Sequence, residues 1–483
     1  MRRVGGYLTV YLSLTLALLL SFVLAIVEGA RRHTVRMEAE CIADIGMNSV
    51  LAEFHRELLE QYDLLFVDMS YGTSKAAAEN SSEHLRSYMQ NNCRRAKTSW
   101  EKYLFAPRDW LALSVDKAVV REYSIASDYG GNVMKRQALE YMKDSSVEGM
   151  LVKLSEQAAQ VKNLELDTRD LGKERAGIQS RIDAIELPVR MNEEGQEETV
   201  SLDNPADKVE ASRGSFTLGT VLGKGAHISG TVIRPENYIS HRERKNGTGI
   251  SPGFREPSGM TEDLLFDCYL FEKCGFYGKE LEKSLLKYQI EYIIAGKGSD
   301  MENLDYVVKR LLLWREAANV MYIFTDTGKC AEAELLASSL TAVLFVPELA
   351  EPVKYAILFA WAYMESVRDV KCLLNDVKVP LLKTAADWRT GIADLAGFPD
   401  SISGKASGGR GLDYGDYLRV MLFLENDNKK TMRSMDVMEM DIRMTPGNEH
   451  FRMDACFDSY VADISISSAF GYHYEVKRRY GYD

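Results

Sequence analysis

The stretch YLTVYLSLTLALLLSFVLAIV, Tyr7–Val27, contains no charged residue and decides the architecture of the chain. About 20 apolar residues in a helix, at ~1.5 Å per residue, span the ~30 Å hydrocarbon core of a bilayer. Six residues precede this run, and the rest of the 483-residue chain contains no second run of its kind. The sequence therefore predicts one N-terminal transmembrane helix that carries a large polar body.

A cleaved signal peptide is the main alternative for this segment. Arg2 and Arg3 fit the basic start of a signal peptide, and Glu28-Gly29-Ala30 offers a weak cleavage site. The apolar run is longer than the about 7–15 residues usual in signal peptides. Because a helical pattern also continues beyond it, we expect a retained anchor.

Residues 28–66 contain no proline and repeat apolar side chains every three or four positions. This spacing predicts that the anchor continues as one amphipathic helix, roughly sixty residues or ~90 Å in all. We expect its apolar face to pack on the protein's own C-terminal domain or on the anchor helix of a partner, and Glu53 to face outward. This candidate interaction surface, the juxtamembrane stripe, comprises Ala39, Ile42, Ala43, Gly46, Val50, Phe54 and Leu58.

The remaining sequence predicts an α+β fold with a helical arm and a mixed α/β C-terminal domain. Residues 110–127 alternate as a strand does, and residues 131–187 follow an interrupted heptad pattern. That pattern favours a helical hairpin or packed helix over a dimerisation coiled coil. The predicted segments are a cytoplasmic tip (1–6), the transmembrane helix (7–27), a pilin-like helix with the first part of the exterior domain (28–130), the coiled-coil-like arm (131–187), a linker and loop/strand region (188–260) and the C-terminal domain (261–483).

Within the C-terminal half, residues 287–296 (KYQIEYIIAG) are interpreted as a strand, and residues 214–233 as short strands with glycine turns. Ser299 and Glu302 form a capping-box pattern at the start of a helix. The apolar run 353–364 (VKYAILFAWAYM) covers only ~18 Å, too short for a membrane span, so it predicts a buried core helix. Residues 451–468 and 472–482 alternate as strands, the second an edge strand.

The composition and motifs indicate no chemistry. The net charge of −12 argues against nucleic-acid binding. The glycine-rich turn 296–299 lacks the first glycine of a phosphate-binding loop, since Glu291 stands there. Glu365 and Asp369 could act as an acid/base pair, but pairing with a basic residue such as Arg315 is the commoner use. Seven cysteines and seven histidines show no ligand spacing, so we expect no catalytic residue, cofactor or metal.

Gly5-Gly6, the apolar span and EAECIADIGMNSVLAEF (38–54) together resemble the pilin-like TadE- and TadG-like proteins of tight-adherence (Flp-type) pili. Other segments are similar to a large uncharacterised family of Gram-positive anaerobes that is generally encoded beside such pilus genes. These are FHRELLEQYDLLFVD (54–68), EYIIAGKGSDMENL (291–304), AWAYMESVRDVKCLL (360–374), VPLLKTAADW (379–388), YGDYLRVMLFL (414–424) and YHYEVKRRYGY (472–482).

Charge alone leaves the orientation open, because arginines flank the span on both sides. The resemblance implies a cytoplasmic N-terminus and a body outside a Gram-positive cell membrane. Pilins of this kind carry a glutamate at the fifth mature position, where this chain has Val10 or Tyr11, so we expect an unprocessed component.

The expected function is that of a membrane-anchored structural or assembly component of a tight-adherence-type pilus or secretion apparatus. Its expected partners are the membrane, other proteins of that apparatus or further copies of itself, with no nucleic acid. The alternatives are an envelope-anchored hydrolase of cell-wall material and a surface sensor.

Overall fold

The computed structural model of the protein describes residues 5–93, 112–143, 148–191, 197–199, 202–222, 227–249, 255–257, 259–402 and 409–482. These ranges form a mixed α+β fold, mostly helical, with a small antiparallel sheet. The helices are α1 (Gly5–Leu51), α2 (Arg56–Tyr62), α3 (Ala78–Cys93), α4 (Asp128–Met142), α5 (Glu148–Asn163), α6 (Leu171–Asp183), α7 (Pro205–Arg213), α8 (Leu218–Val221), α9 (Met260–Lys273), α10 (Gln289–Ala295), α11 (Asp300–Thr325), α12 (Thr327–Leu344), α13 (Ala350–Leu374), α14 (Tyr414–Leu424) and α15 (Asp427–Arg443). The strands are β1 (Val67–Asp68), β2 (Leu113–Ile125), β3 (Val189–Met191), β4 (Glu197–Thr199), β5 (Cys456–Ser468) and β6 (His473–Gly481).

The chain divides into two compact units, each built from separate stretches of sequence. Unit 1 combines Met1–Tyr141, Arg242–Pro257 and Asp441–Asp483. Unit 2 combines Met142–His241 and Ser258–Met440. Unit 1 therefore holds α1 together with the last strands of the chain.

The sheet of unit 1 is antiparallel and has β5 at its centre. β2 pairs along one side of β5, from Leu113 opposite Ser468 to Ile125 opposite Phe457. β6 and the short β1 pair with the other side. The strands predicted at 110–127, 451–468 and 472–482 are thus confirmed as β2, β5 and β6. Trp110 and Leu111 lie outside the described residues, and Met453–Ala455 form a short 3-10 helix before β5 instead of strand.

One face of this sheet is covered by α1 and α3, and together they enclose the core of unit 1. The Tyr460 hydroxyl crosses this core and donates to the Met47 carbonyl oxygen at 3.0 Å. The buried α1 residues of the core are Val35, Ala39, Ile42, Ala43, Met47, Val50 and Leu51.

α1 is shorter than predicted, because it ends at Leu51 after 47 residues. The prediction of one helix through residue 66 is therefore wrong. The His55 backbone N–H donates to the Phe66 carbonyl oxygen at 2.8 Å, which turns the chain. Its ring Nδ1 then accepts the Leu58 N–H at 3.3 Å and caps α2. Neither signal appears in a pattern of apolar spacing.

Unit 2 is built around α13, which packs against α11 and α12. Pro352 lies in the first turn of α13, where a missing N–H costs nothing. The segment 353–364 is buried except for partial exposure at 354–356, which confirms the predicted core helix. The Ser299 hydroxyl accepts the Glu302 N–H at 3.2 Å, so the predicted helix start is also confirmed.

The strand predicted at 287–296 is wrong, because Gln289–Ala295 form the helix α10. All seven of its side chains are buried, and a short, wholly buried apolar run has no periodicity that separates strand from helix. Gly296, at φ +66°, then ends the helix in the left-handed conformation that glycine adopts most easily.

The prediction of short strands at 214–233 is also wrong for the part of this range that the structure describes. Leu218–Val221 form α8, which begins where the Thr217 N–H donates to the Thr220 hydroxyl at 3.3 Å. Val232 makes an isolated bridge with Ser299. In the predicted arm, α5 packs on α14 and α6 packs on α13, so both are packed helices of unit 2.

Candidate interaction surfaces of the first helix

The first half of α1 exposes its apolar side chains along its whole length. Between Tyr7 and Val27 every side chain is exposed except the partly exposed Thr15; Leu8 is 72% and Phe22 is 63% exposed. Moving one such large side chain from water into an apolar environment lowers the free energy by about 1.5–3 kcal/mol. Within the described ranges, α1 is the one helix long and apolar enough to span a membrane.

The serine and threonine hydroxyl groups in this half are satisfied inside the helix. Thr9, Ser13, Thr15 and Ser21 each donate to a backbone carbonyl oxygen three or four residues earlier, at 2.9–3.0 Å. In a medium without water, an unpaired hydroxyl would cost free energy. The segment therefore suits an apolar environment despite its four serine and threonine residues.

The juxtamembrane stripe lies mostly inside unit 1. Ala39, Ile42, Ala43 and Val50 belong to the core that α1 shares with α3 and the sheet. Gly46 lies against α3, since a Cβ there would be 2.5 Å from Met89 Cγ. Their role in binding another protein stays a prediction.

Phe54 and Leu58, the last two residues of the stripe, are not on α1. Phe54 is half-buried in the turn after α1, whereas Leu58 is fully buried on α2. The stripe instead continues through Met47 and Leu51, which the sequence interpretation missed. Their signal was available, because 39, 43, 47 and 51 succeed one another at four-residue steps.

Glu53 is not the outward-facing residue that we expected. The Tyr88 hydroxyl donates to Glu53 Oε1 at 2.6 Å, and His84 Nδ1 lies 2.9 Å from the same oxygen. The hydrogen bond to Glu53 raises the pKa of Tyr88, and burial raises it further by a smaller amount. Because α1 ends at Leu51, the helical phase that placed Glu53 outside no longer applies.

A ladder of polar contacts fixes α1 alongside β6. The Tyr474 hydroxyl donates to Glu40 Oε1 at 2.6 Å, Arg478 Nη1 lies 3.1 Å from Asp44 Oδ1, and the Tyr482 hydroxyl donates to the Leu51 carbonyl oxygen. Residue numbers rise together on both elements through these contacts, so α1 and β6 run in the same direction. Hydrogen bonds from Tyr474 and Arg36 lower the pKa of Glu40.

The opposite face of the sheet is polar. Arg121 Nε lies 3.2 Å from Asp463 Oδ2, and Lys477 Nζ lies 2.8 Å from Glu122 Oε1. Partly exposed ion pairs of this kind contribute little stability, and they mark a solvated surface.

Glu365 and Asp369, the carboxylate pair of α13, belong to a buried ion-pair cluster of unit 2. Arg315 Nε and Nη2 donate to Asp369 Oδ2 at 3.1 and 3.0 Å. Lys383 Nζ donates to Asp369 Oδ1 at 2.6 Å and to Glu365. The expected pairing with Arg315 is confirmed.

The electrostatics of this cluster keep Asp369 ionised. Burial alone would raise the pKa of this carboxyl, but the charges of Lys383 and Arg315 outweigh it and lower the pKa. Glu365 also accepts the Arg389 and Thr390 N–H groups, at 3.1 and 2.9 Å. Each carboxylate thus has an internal structural use.

The glycine-rich turn 296–299 connects two helices, α10 and α11. Asn303 Oδ1 accepts the Lys297 N–H at 2.7 Å, and the Asn303 amide donates to the Lys297 carbonyl oxygen. A side chain of the protein itself thus holds a backbone N–H that a phosphate-binding loop would turn toward its ligand.

Sequence analysis missed two buried carboxyls of unit 2, Glu291 and Asp436. Burial raises the pKa of each to about 7. Glu291 accepts the Tyr414 hydroxyl at 2.9 Å, and Asp436 accepts the Tyr292 hydroxyl at 2.8 Å. Acidic residues within apolar runs, such as Glu291 in YQIEYIIA, were the available signal.

Comparison with known proteins gives one match and two negative results. Neither a curated protein nor a solved structure matches the chain. The model of a family of unknown function matches residues 195–468, more than half of the chain. The similarity to an uncharacterised family is thus confirmed, while its association with pili stays a prediction. The chain belongs to the family of unknown function DUF5702.

Proposed function

We propose that the protein is a single-pass, membrane-anchored assembly component, a pilin-like accessory protein of a tight-adherence-type pilus or secretion apparatus. The observation that carries the proposal is the division of α1. Its first half exposes a continuous apolar surface, and its second half belongs to the core of unit 1.

This division supports a permanent anchor. Residues 35–51 of the same helix supply part of the hydrophobic core of unit 1. Since α1 is continuous from Gly5 to Leu51, no hinge separates the apolar half from that core. The anchor thereby holds unit 1 in a defined position at the membrane.

The chemistry of the candidate residues also favours an assembly role over the hydrolase alternative. Glu365 and Asp369 are fully buried and hold Arg315, Lys383 and backbone N–H groups. A general acid or base must reach a substrate proton, which these two carboxyls do not.

Protease shaving of intact, wall-stripped cells tests the orientation. A body outside the cytoplasm should be degraded, while a cytoplasmic control protein stays intact. Full protection of the body would contradict the orientation.

Mass spectrometry of the mature N-terminus tests the anchor. A first residue near Gly29 would show that the apolar segment is cleaved and would rule the anchor out.

Photocrosslinking in native membranes tests the assembly role. A photoreactive phenylalanine analogue at Leu16, on the exposed half of α1, should yield adducts with another subunit of the apparatus or a second copy. The same analogue at Ser465, on the polar face of the sheet, is the matched control. Lipid adducts alone at Leu16, with no protein adduct at either position, would leave an anchor and remove the assembly role.

A further inference from the structure

The tight hairpin that joins β5 to β6 lies at the end of the sheet closest to the apolar half of α1. The Ser468 N–H donates to the Tyr472 carbonyl oxygen, and the Gly471 N–H to the Ser468 carbonyl oxygen, both at 2.9 Å. Gly471 has φ +81°, which the turn requires and glycine supplies. The hairpin is therefore a fixed projection of the sheet.

Three aromatic rings of this hairpin and of β6 lie under three arginines of α1. The guanidinium of Arg31 is 4.3 Å from the ring centre of Phe470, at the tip. Those of Arg32 and Arg36 are 5.5 and 5.8 Å from the rings of Tyr472 and Tyr474. Cation–π contacts of this geometry hold the hairpin against the helix.

The tip also leaves apolar surface uncovered. Phe470 is 46% exposed, and its neighbours Ala469 and Gly471 are exposed as well. A fixed, exposed phenylalanine beside arginines is the composition of a protein surface at the edge of a bilayer, where aromatic rings enter the interface and basic groups meet phosphates.

The level of the tip along α1 fits that interface. Arg31 lies four residues beyond Val27, which is ~6 Å along a helix axis. The headgroup layer adds about 5–8 Å on each side of the ~30 Å hydrocarbon core. Phe470, stacked on Arg31, therefore falls at headgroup depth when Tyr7–Val27 fill the core.

The charge around the tip is weakly positive. On the α1 side, Glu28 lies 3.7 Å from Arg31 and 3.5 Å from Arg32, so it offsets one of these two arginines and leaves one net positive charge there. Asp116 lies on the other face of the sheet, where its Oδ1 accepts the Ser467 hydroxyl at 2.8 Å. Arg36 is paired with Glu40 at 3.1 Å. An anionic surface would attract the remaining charge.

We propose that the tip of the β5–β6 hairpin is a second membrane contact, in which Phe470 enters the headgroup layer while Arg31 and Arg32 bind lipid phosphates. This inference rests on the proposed membrane anchor. A single helix can tilt in the bilayer, and a second contact at the tip limits that tilt of unit 1.

Photocrosslinking of the full chain in lipid vesicles tests this contact. A photoreactive phenylalanine analogue replaces Phe470, Leu16 or Tyr129, one position for each protein. Tyr129 is the matched control: it is 41% exposed, in unit 1, and comes after β2 at the opposite end of the sheet. We expect lipid adducts at 470 and 16 and none at 129. We also expect an about fivefold higher yield at 470 in phosphatidylglycerol than in phosphatidylcholine, the factor for one net positive charge at an anionic surface.

The outcomes separate the two proposals. Lipid adducts at 16 without any at 470 would overturn the hairpin contact and keep the anchor. No lipid adduct at either position would overturn the anchor itself. Protein adducts at 470 in native membranes, in place of lipid, would make the tip a protein interface and overturn the lipid assignment. In Arg31→Gln/Arg32→Gln the preference for phosphatidylglycerol should disappear, and an unchanged preference would contradict the role of the arginines.

Discussion

Two apolar helical segments of this protein, residues 7–27 of α1 and residues 353–364 of α13, are similar in composition and opposite in surroundings. The first is exposed along its length, whereas the second is buried in unit 2. The segments also differ in length and in the residues on their C-terminal side. Beyond the α1 segment lie arginines stacked on aromatic rings, and beyond the α13 segment lie carboxylates in a buried ion-pair cluster. Length and neighbouring charges, more than hydropathy, thus separate a candidate anchor from a core.

Removing the cation of the α13 cluster should give the largest effect. Lys383→Met leaves two buried carboxylates, Glu365 and Asp369, without their shared ammonium group. We expect unit 2 to lose about 3–5 kcal/mol in free energy of unfolding, because an uncompensated buried charge is costly. Urea denaturation of the full chain in detergent measures this.

The matched control for that change is Lys354→Met, at a lysine of α13 itself. Lys354 Nζ lies 2.9 Å from Glu334, whose side chain is mostly exposed. We expect a change of about 1 kcal/mol or less, as for other surface ion pairs. Equal losses in the two variants would show that burial does not determine how much each lysine contributes to stability.

Two glycines allow the buried part of α1 to be compared with the position just beyond the apolar run 7–27. Gly46→Ala places a Cβ 2.5 Å from Met89 Cγ, so the methionine must move, and we expect a loss of about 1–3 kcal/mol in unit 1. Gly29→Ala meets no atom within 4 Å, and we expect a gain of up to about 1 kcal/mol from helix propensity. Thermal unfolding followed by circular dichroism measures both, and a Gly46→Ala as stable as Gly29→Ala would contradict the packing of α1 on α3.

The end of α1 gives a test of similar size. Glu53→Lys removes the acceptor of the Tyr88 hydroxyl and the partner of His84, and we expect a loss of about 1.5–3 kcal/mol. Glu38→Lys, at an exposed position on α1, should change the stability by less than about 0.5 kcal/mol. Urea denaturation of the full chain in detergent measures both changes. An unaffected Glu53→Lys would restore the straight, longer helix that apolar spacing indicates.

Sequence reasoning reached the parts of the fold in which one local pattern decides. Alternation revealed β5 and β6, and the length of the run 353–364 identified the core helix. It failed where a distant contact decides, as at the end of α1, where His55 pairs with Phe66. It also divided the chain in linear order, whereas the sheet of unit 1 joins β2 to a strand more than 300 residues later.

For the candidate surface, the spacing located the α1 residues but not their partners. Ala39, Ile42 and Ala43 were identified as one face, yet their burial under α3 and the sheet depends on residues 78–93 and 456–481. The arginines beyond the span were visible in the sequence. Their stacking on Phe470 and Tyr472 was not, because no local rule links residues that are more than 400 positions apart.

The buried carboxyls of unit 2 differ in how their ionisation makes the stability depend on pH. Burial raises the pKa of Asp436 and Glu291 to about 7, from ordinary values of 3.8 and 4.5. The folded state therefore binds more protons than the unfolded state between pH of about 4 and 7, and the free energy of unfolding falls as the pH rises through that window. Asp369 behaves in the opposite way, because its pKa is lowered: its contribution is present above its ordinary value of 3.8 and is lost only at more acidic pH. The two kinds of buried acid thus act in separate pH ranges.

We expect Asp436→Asn and Glu291→Gln each to flatten the dependence of unfolding free energy on pH between 5 and 8, by up to one bound proton per substitution. The amide oxygens that replace the carboxyl oxygens can still accept the hydroxyls of Tyr292 and Tyr414, so the folds should persist. Glu348→Gln, at an exposed carboxyl of unit 2, is the control. Urea denaturation at several pH values measures the slope. A slope that both substitutions left intact would mean that Asp436 and Glu291 are ionised in the folded protein, so that unit 2 holds these carboxylates without the cations that Asp369 requires.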